Sequence, residues 1–298
     1  MRLLRSLLFT PGNNERMIRK TATLGADAVI LDLEDAVPMA EKEAARGLLR
    51  DAIEHVATAA AQVFVRVNAL VTGLTTEDLE QVIQAGLAGV VLPKTESSED
   101  VREVSGLIGE LERRRGIEAD SVALIPLLES AKGVLDARAI AMASKRIIAL
   151  AFGSLDFTRD MGTTVSRQGT EVFYARSHIA VVARAAGSLA IDTPWIDIAD
   201  PDGLAEEARM ARQLGFAGKL LIHPSQIEPV NGVFSPSKDE VAYAKNVVEA
   251  FRAAEAQGLG AISLDGKMID IANARQAQDL IARAEAIAQK RPGKPRDL

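Results

Sequence analysis

Carboxylates at the ends of apolar segments are the residues of this sequence best suited to chemistry. The run AVILDLED, residues 28–35, closes on Asp32, Glu34 and Asp35, and two later apolar runs are followed by Glu129 and Asp156. Carboxylates that converge repel one another and raise each other's pKa unless a cation holds them. A hard divalent cation such as Mg²⁺ is therefore the expected partner, and Glu129 and Asp156 suit it best.

Composition limits the other kinds of catalytic site. The sequence has no cysteine, which excludes disulfides, thiolate metal sites and thiol nucleophiles. Its three histidines, His55, His178 and His223, are scattered, so a three-histidine zinc site would need every one of them. Chemistry must therefore rest on carboxylates, arginine and lysine.

Length and charge set the broad class. With 298 residues, 48% hydrophobic residues and a net charge of -6, the chain is long enough for one large domain or two small ones. No apolar run approaches the roughly 20 residues of a bilayer span, and the N-terminal segment lacks a signal-cleavage pattern. The mild acidity argues against nucleic acid. We expect a soluble, cytoplasmic protein that binds neither nucleic acid nor membrane.

Apolar runs that alternate with helical patterns must position these residues. The eight runs are RSLLFTP, AVILDLED, VFVRVNA, GVVLPKT, VALIPLLES, IIALAFGSLDF, LAIDTPWID and GKLLIHPSQI. Near-continuous apolar strands covered by helices predict a parallel sheet, and eight such units fit an α/β (β/α)₈ TIM barrel. An open doubly wound sheet is the alternative, but the sequence contains no glycine-rich nucleotide-binding motif.

The barrel hypothesis sets the domain boundaries and the site face. We expect the barrel in residues 1–232 and a C-terminal helical extension in 233–298, with helices at 238–257 and 272–289 separated by LGAISLDGKMID. Because the carboxyl ends of barrel strands face the active site, the residues that follow them should converge. These residues are Glu34, Asp35, Arg66, Asn68, Lys94, Glu129, Asp156 and His223.

Several of these residues also have ordinary structural interpretations. Glu34 and Asp35 are equally suited to capping the helix that follows them. Lys94 either neutralises a nearby carboxylate or forms a Schiff base, and the acidic cluster favours the first role. His223 is as compatible with a hydrogen-bonded structural role as with the site, and Asp160 is interpreted as a turn or cap residue.

Motifs along nearly the whole chain resemble a known family. They are RSLLFTPGNNERMIRKTATLGADAVILDLEDAVP, VRVN, LPKTES, IPLLESAKGV, SLDFTRDMG and SLDGKMID. In this order they resemble the CitE-like branch of the HpcH/HpaI aldolases, which includes citrate lyase β-subunits and malyl-CoA and citramalyl-CoA lyases. The resemblance implies a barrel, commonly trimeric, that binds Mg²⁺, with Mn²⁺ as a substitute, and cleaves or forms a carbon–carbon bond in 3-hydroxyacyl thioesters.

The resemblance also implies residue roles. Glu129 and Asp156 match metal ligands, and Arg66 matches the residue that binds the carboxylate of the 2-oxo acid. Glu34 and Asp35 match carboxylates that hold metal-bound waters. Asp265, in SLDGKMID, matches an acid/base residue that acts in the site of a neighbouring subunit.

The expected ligands are an acyl-CoA and a small 2-oxo acid. Phe9, Pro11, Arg16 and Lys20 are candidates for contacting coenzyme A, and Lys94 is grouped with them as cofactor-binding. Glyoxylate, pyruvate and oxaloacetate all fit as the oxo acid. Three other functions stay open: a citrate lyase β-subunit acting on a thioester carried by a partner protein, a malyl-CoA thioesterase, and an aldolase acting on free pyruvate.

Overall fold

The computed structural model describes residues 3–57 and 61–289. Eight parallel strands follow one another in chain order and close into a barrel when β8 pairs with β1. The strands are β1 Ser6–Pro11, β2 Ala28–Asp32, β3 Gln62–Arg66, β4 Leu87–Leu92, β5 Ala123–Leu128, β6 Ala149–Phe152, β7 Leu189–Asp192 and β8 Gly218–Leu221. The prediction of a (β/α)₈ barrel is confirmed.

Helices connect and surround the strands. They are α1 Glu15–Thr21, α2 Lys42–Ala57, α3 Thr75–Val82, α4 Ser98–Arg115, α5 Ala131–Leu135, α6 Ala137–Ala141, α7 Ser154–Asp160, α8 Phe173–Ala185, α9 Pro201–Leu214 and α10 Ile227–Phe234. Short 3₁₀ turns occur at Met39–Glu41, Leu70–Thr72, Thr170–Val172 and Pro224–Gln226.

Apolar side chains fill the barrel interior. Leu7, Ile30, Phe64, Val91 and Ile125 are fully buried members of one cluster to which all eight strands contribute. Both faces of each strand are covered, one by this cluster and the other by helices, which explains the near-continuous apolar runs of the sequence. The polar residues that end the strands therefore lie on the open face of the barrel, at the carboxyl ends of the strands.

The sixth apolar run ends earlier than the sequence predicts. Only Ala149–Phe152 is strand, and α7 begins at Ser154 after Gly153, which has an extended backbone (φ -115, ψ 98). The backbone N–H of Ser154 donates to Thr193 Oγ1 at 2.9 Å, which fixes the start of the helix. Asp156 consequently lies in the first turn of α7, where a negative charge is favourable, rather than at the end of a strand.

The described residues from Gly232 onward form a second compact unit, separate from the unit of Leu4–Asn231. It contains α11 Lys238–Glu255, an antiparallel hairpin of β9 Ala261–Leu264 and β10 Lys267–Asp270, and α12 Ile271–Gln289. The two helices agree with the predicted ones within two residues at each end. The last part of the predicted extension, 290–298, lies outside the described residues.

A buried apolar cluster holds this second unit together. Val247 and Phe251 of α11 pack with Ile269 of the hairpin and Ala274 of α12. Asp265 and Gly266 form the two-residue turn of the hairpin, and both have positive φ, 51° and 76°. A type I′ turn requires this conformation at both positions, which accounts for the Asp-Gly pair. Across the parts of the chain that are described, no helix has the length and apolar character needed to cross a bilayer.

Candidate active site

A buried arginine–aspartate pair lies at the ends of the second and third strands. Asp32 and Arg66 are register partners in neighbouring strands. Arg66 Nε donates to Asp32 Oδ1 at 2.7 Å and Nη2 donates to Oδ2 at 2.6 Å. This bidentate geometry fixes the plane of the guanidinium. The Arg66 guanidinium carbon also lies 4.7 Å from the centre of the Phe9 ring, so the ring forms a cation–π contact with the guanidinium.

Glu34 lies between two basic side chains, Arg66 and Lys94. Its Oε1 accepts a hydrogen bond from Lys94 Nζ at 2.7 Å, and its Oε2 is 3.0 Å from Arg66 Nη1. Desolvation raises the pKa of Glu34, and the nearby Arg66 and Lys94 charges oppose that shift. Oε2 is nevertheless buried without a hydrogen-bond donor among the described residues. An acceptor left in this state can accept a hydrogen bond from a bound water or ligand.

Lys94 connects Glu34 to Glu129. Its backbone N–H donates to Glu129 Oε1 at 2.7 Å, and the residue has a positive φ of 49°, which is strained for a residue with a side chain. Burial lowers the pKa of Lys94, but the hydrogen bond and charge of Glu34, with the charges of Asp35 and Glu129, raise it overall. A Schiff-base lysine needs a lowered pKa, so the geometry favours the neutralising role.

Glu129 is the most perturbed carboxylate of the site. Burial, the charge of Glu34 and the charge of Asp156 raise the pKa of Glu129 to about 8. Asp156 is partly exposed, and its nearest ion-pair partner is Arg159 at 3.7 Å. A cation placed between two such carboxylates would relieve their repulsion and favour the charged form of Glu129.

The donor set fits Mg²⁺. No group of three or more histidine, aspartate or glutamate side chains is arranged to hold a metal within the described ranges. Mg²⁺ does not need one, because it commonly takes one or two carboxylates and completes its shell with waters and substrate oxygens. Glu129 and Asp156 would supply two such carboxylates. The donorless Glu34 Oε2 is suited to accept from a bound water.

Lys94, Glu129 and Asp156 line a cavity of about 440 Å³. Asp32, Glu34 and Arg66 are not part of its lining. The other charged residues that line it are Glu96, Asp100, Lys132, Arg159 and Asp160. The volume is within the range of small-molecule sites. The lining thus carries five carboxylates and three basic side chains, so a bound metal cation would offset the excess of negative charge.

Several predicted site residues take no part in the hydrogen bonds described above. Pro11 ends β1, and Arg16 and Lys20 are exposed on α1 without an ion-pair partner among the described residues. Asp35 is exposed and is 3.6 Å from Lys94 Nζ. Asp265 is exposed at the tip of the hairpin in the C-terminal unit.

The structure decides some of the alternatives. Glu34 and Asp35 do not cap α2, because that helix begins at Lys42 after a 3₁₀ turn. His223 caps the short turn Pro224–Gln226 by accepting from the Ser225 backbone N–H, and it is exposed. Asp160 accepts from the Ala131 backbone N–H at 2.7 Å, at the start of α5. His223 and Asp160 thus have the structural roles that were the alternatives.

The sequence analysis assigned no functional role to two residues of the site. Asp32 was visible as part of the acidic cluster, but its pairing with Arg66 depends on strand register. Lys42 is buried, although a lysine beside Glu41 and Glu43 has the pattern of a solvated helix face. No local sequence signal distinguishes it.

A parallel barrel with carboxylates, an arginine and a lysine at the carboxyl ends of its strands has the site placement of barrel enzymes. Residues 5–224 match the family model described as HpcH/HpaI aldolase/citrate lyase. The chain belongs to the HpcH/HpaI aldolase/citrate lyase family, and it is a lyase. The CitE-like resemblance of the motifs is confirmed.

Relatives of known name cover nearly the whole chain. The chain is 41% identical over 286 residues to the citrate lyase subunit beta of Haemophilus influenzae, covering 96% of this chain and 98% of that protein. It is 34% identical over 296 residues to the mitochondrial citramalyl-CoA lyase of Homo sapiens, covering 96% and 87% respectively. CitE of Mycobacterium tuberculosis, solved with magnesium, acetoacetate and coenzyme A, matches with a TM-score of 0.78 and 34% identity, covering 96% of this chain and all of that one.

Substitution of Gly153 tests whether lyase activity depends on the position of the Glu129 carboxylate. A Cβ at Gly153 would lie 2.7 Å from Glu129 Oε2, so Gly153→Ala must displace that carboxylate while its own backbone conformation suits alanine. We expect about a 100-fold loss of lyase activity with little change in Tm. Gly47→Ala, where a Cβ meets no atom within 4 Å, is the control and should keep full activity. Equal activities of the two variants would contradict the placement of Glu129 in the site.

Proposed function

We propose that this protein is a Mg²⁺-dependent carbon–carbon lyase that cleaves a 3-hydroxyacyl-CoA into acetyl-CoA and a 2-oxo acid. The observation that carries the proposal is that Glu129 lies within electrostatic reach of both Asp156 and Arg66. Arg66 is held by Asp32 at the ends of β2 and β3, Glu129 follows β5, and Asp156 lies in the first turn of α7. The names of the relatives support a thioester substrate, since one is a citramalyl-CoA lyase and a solved neighbour holds magnesium and coenzyme A.

The reaction breaks the C2–C3 bond of the acyl chain. The C3 hydroxyl loses its proton and becomes the carbonyl of the 2-oxo acid, while the bonding electrons stay on the thioester as an enolate. Protonation of that enolate at C2 gives acetyl-CoA. Negative charge thus develops first on the C3 oxygen and then on the thioester, and the site must stabilise both.

The residues of the site divide this work. Glu129 and Asp156 would hold the metal. When bound, Mg²⁺ would supply the charge that lowers the pKa of the C3 hydroxyl. Arg66 has Nε and Nη2 committed to Asp32, and its Nη1 lies 3.0 Å from Glu34 Oε2. The remaining N–H of Nη1 would donate to the carboxylate beside C3. Glu34 orients a water through Oε2, and Lys94 keeps Glu34 and Glu129 in place.

The coenzyme A portion needs cations outside the carboxylate cluster. Arg16 and Lys20 are one helical turn apart on α1 and exposed, so both are available to phosphate groups. Pro11 precedes that helix and would border the same region. Phe9 contacts Arg66 instead, which makes it a support for the oxo-acid site. We keep Lys94 with the carboxylates, because its Nζ donates to Glu34 and its backbone N–H donates to Glu129.

A second function has specific support. The 41% identity to a citrate lyase subunit beta favours a subunit that performs the same cleavage on a citryl thioester attached to a carrier protein. The chemistry at C2 and C3 is unchanged in that case. Only the group that carries the thioester differs.

A substrate panel tests the proposal. Malyl-CoA, citramalyl-CoA and citryl-CoA are each incubated with Mg²⁺, and acetyl-CoA and the oxo acid are quantified. We expect one of the three to give both products in equal amounts, EDTA to abolish the reaction, and Mg²⁺ or Mn²⁺ to restore it. Glu129→Gln should lose several orders of magnitude in kcat, whereas Glu103→Gln, on the exposed face of α4, should not.

Each other product pattern points elsewhere. Free coenzyme A with an intact hydroxy acid would identify a thioesterase and contradict the lyase proposal. Cleavage of free hydroxy acids without coenzyme A would identify an aldolase of free pyruvate. Activity only on a carrier-bound citryl thioester would identify the citrate lyase subunit.

We further propose that Asp265 donates the proton to C2 in a neighbouring subunit of a homo-oligomer, with a trimer as the expected form. Asp265 is exposed on a hairpin tip, so its side chain is accessible to a neighbouring subunit. Asp265→Asn should keep acetyl-CoA binding but lose nearly all activity, as Glu129→Ala should. When the two variants are mixed and exchange subunits, some sites combine an intact metal pair with an intact Asp265, so part of the activity should return. Verified exchange without recovery would contradict action between subunits.

A further inference from the structure

Lys42 is a buried lysine close to the charged cluster. It is the first residue of α2 and is 8% exposed. Its Nζ donates three hydrogen bonds, to Leu33 O at 2.7 Å, to Glu34 O at 2.9 Å and to Asn68 Oδ1 at 2.6 Å. All three ammonium protons therefore have acceptors.

A buried position at the start of a helix is unfavourable for a cation whose only role is to stabilise that helix. The N-terminus of a helix carries partial positive charge, which repels an ammonium group. Burial adds a desolvation cost, and the direct acceptors are two carbonyl oxygens and an amide oxygen rather than a carboxylate. The contacts of its Nζ must therefore explain why a lysine occupies this position.

Those contacts join the two segments that carry the charged cluster. Leu33 and Glu34 directly follow β2, and Asn68 is two residues beyond Arg66 at the end of β3. Asn68 is itself fixed, because its backbone N–H and its Nδ2 donate to Asp78 Oδ2 at 2.7 and 2.6 Å. Lys42 thus ties the backbone of Glu34 to a rigid point on the neighbouring strand.

We propose that Lys42 is a positioning residue that aims the Glu34 carboxylate between Arg66 and Lys94, and thereby sets the binding of the 2-oxo acid. The inference rests on the proposed lyase function. With the carbonyls of Leu33 and Glu34 held by one ammonium group, the Glu34 side chain starts from a fixed backbone. Its Oε1 then meets Lys94 and its Oε2 lies beside Arg66.

Arg46 provides a matched control. It lies one turn after Lys42 on the same helix, is also 8% exposed, and belongs to the same buried network. Its Nε donates to Asp78 Oδ1 at 2.7 Å and its Nη1 pairs with Glu77 at 2.8 Å. Both of these partners belong to α3, and the other carboxylate oxygen of Asp78 holds Asn68. Arg46 is thus connected to Glu34 only indirectly, through Asp78 and the residues that it anchors. Loss of Arg46 should therefore disturb packing and displace Glu34 much less than loss of Lys42 does.

The test compares Lys42→Met with Arg46→Met in the condensation of acetyl-CoA with a 2-oxo acid. We expect Lys42→Met to lower kcat/KM for the oxo acid about 10- to 100-fold, as loss of a partner behind a site residue commonly does, with KM for acetyl-CoA unchanged. Arg46→Met should lower Tm to a similar degree and change both kinetic constants much less. Crystal structures of the variants should show the 2.7 Å contact between Lys94 Nζ and Glu34 Oε1 lost only in Lys42→Met.

Each outcome has a defined meaning. Equal kinetic effects in the two variants, or unchanged kinetics in Lys42→Met, would overturn the positioning role while the lyase activity of the wild type stands. A wild-type protein that condenses no acetyl-CoA with any oxo acid would overturn the proposed function, and the positioning role in that reaction with it. If Lys42→Met does not fold, Lys42→Gln is used, since its shorter side chain cannot satisfy all three acceptors. The same selective loss is then expected, and wild-type kinetics in it would contradict the inference.

Discussion

The bidentate hydrogen bonds between Asp32 and Arg66 are the interaction on which the rest of the site depends. They join neighbouring strands at their carboxyl ends, where the barrel core stops and the open face begins. Burial lowers the pKa of Arg66, but the hydrogen bond and charge of Asp32, with the charges of Glu34 and Asp35, raise it overall. The guanidinium is thus permanently charged and held in one plane. Every other charged group of the site is arranged relative to it.

Alternating charge explains how so many acids share one end of the barrel. Asp32, Arg66, Glu34 and Lys94 form a chain in which each charge lies beside one of opposite sign. The chain stops at Glu129, which receives only a backbone N–H from Lys94 and whose pKa is raised to about 8. The unbalanced charge is therefore concentrated at Glu129 and Asp156. This is the place where a divalent cation gains most, and where a substrate that brings the cation's remaining ligands would react.

The sequence predicted the barrel because both faces of each strand are covered, which produces apolar runs that are easy to recognise. It also predicted the acids that follow β2 and β5. It could not predict the pairing of Asp32 with Arg66, because residues 34 positions apart meet only through strand register. Asp156 was expected at a strand end because SLDF continues the apolar pattern beyond Gly153. Lys42 was missed because burial at a helix start depends on tertiary contacts and has no periodic signal.

A crystal structure of the protein with Mg²⁺ and pyruvate tests the central claim most directly, since pyruvate carries the carboxylate and carbonyl of a 2-oxo acid. The account predicts that Glu129 and Asp156 both contact the metal, that Asp32 keeps its two hydrogen bonds to Arg66, and that Arg66 Nη1 contacts the pyruvate carboxylate. A metal bound away from these carboxylates, or pyruvate bound without contact to Arg66, would contradict it.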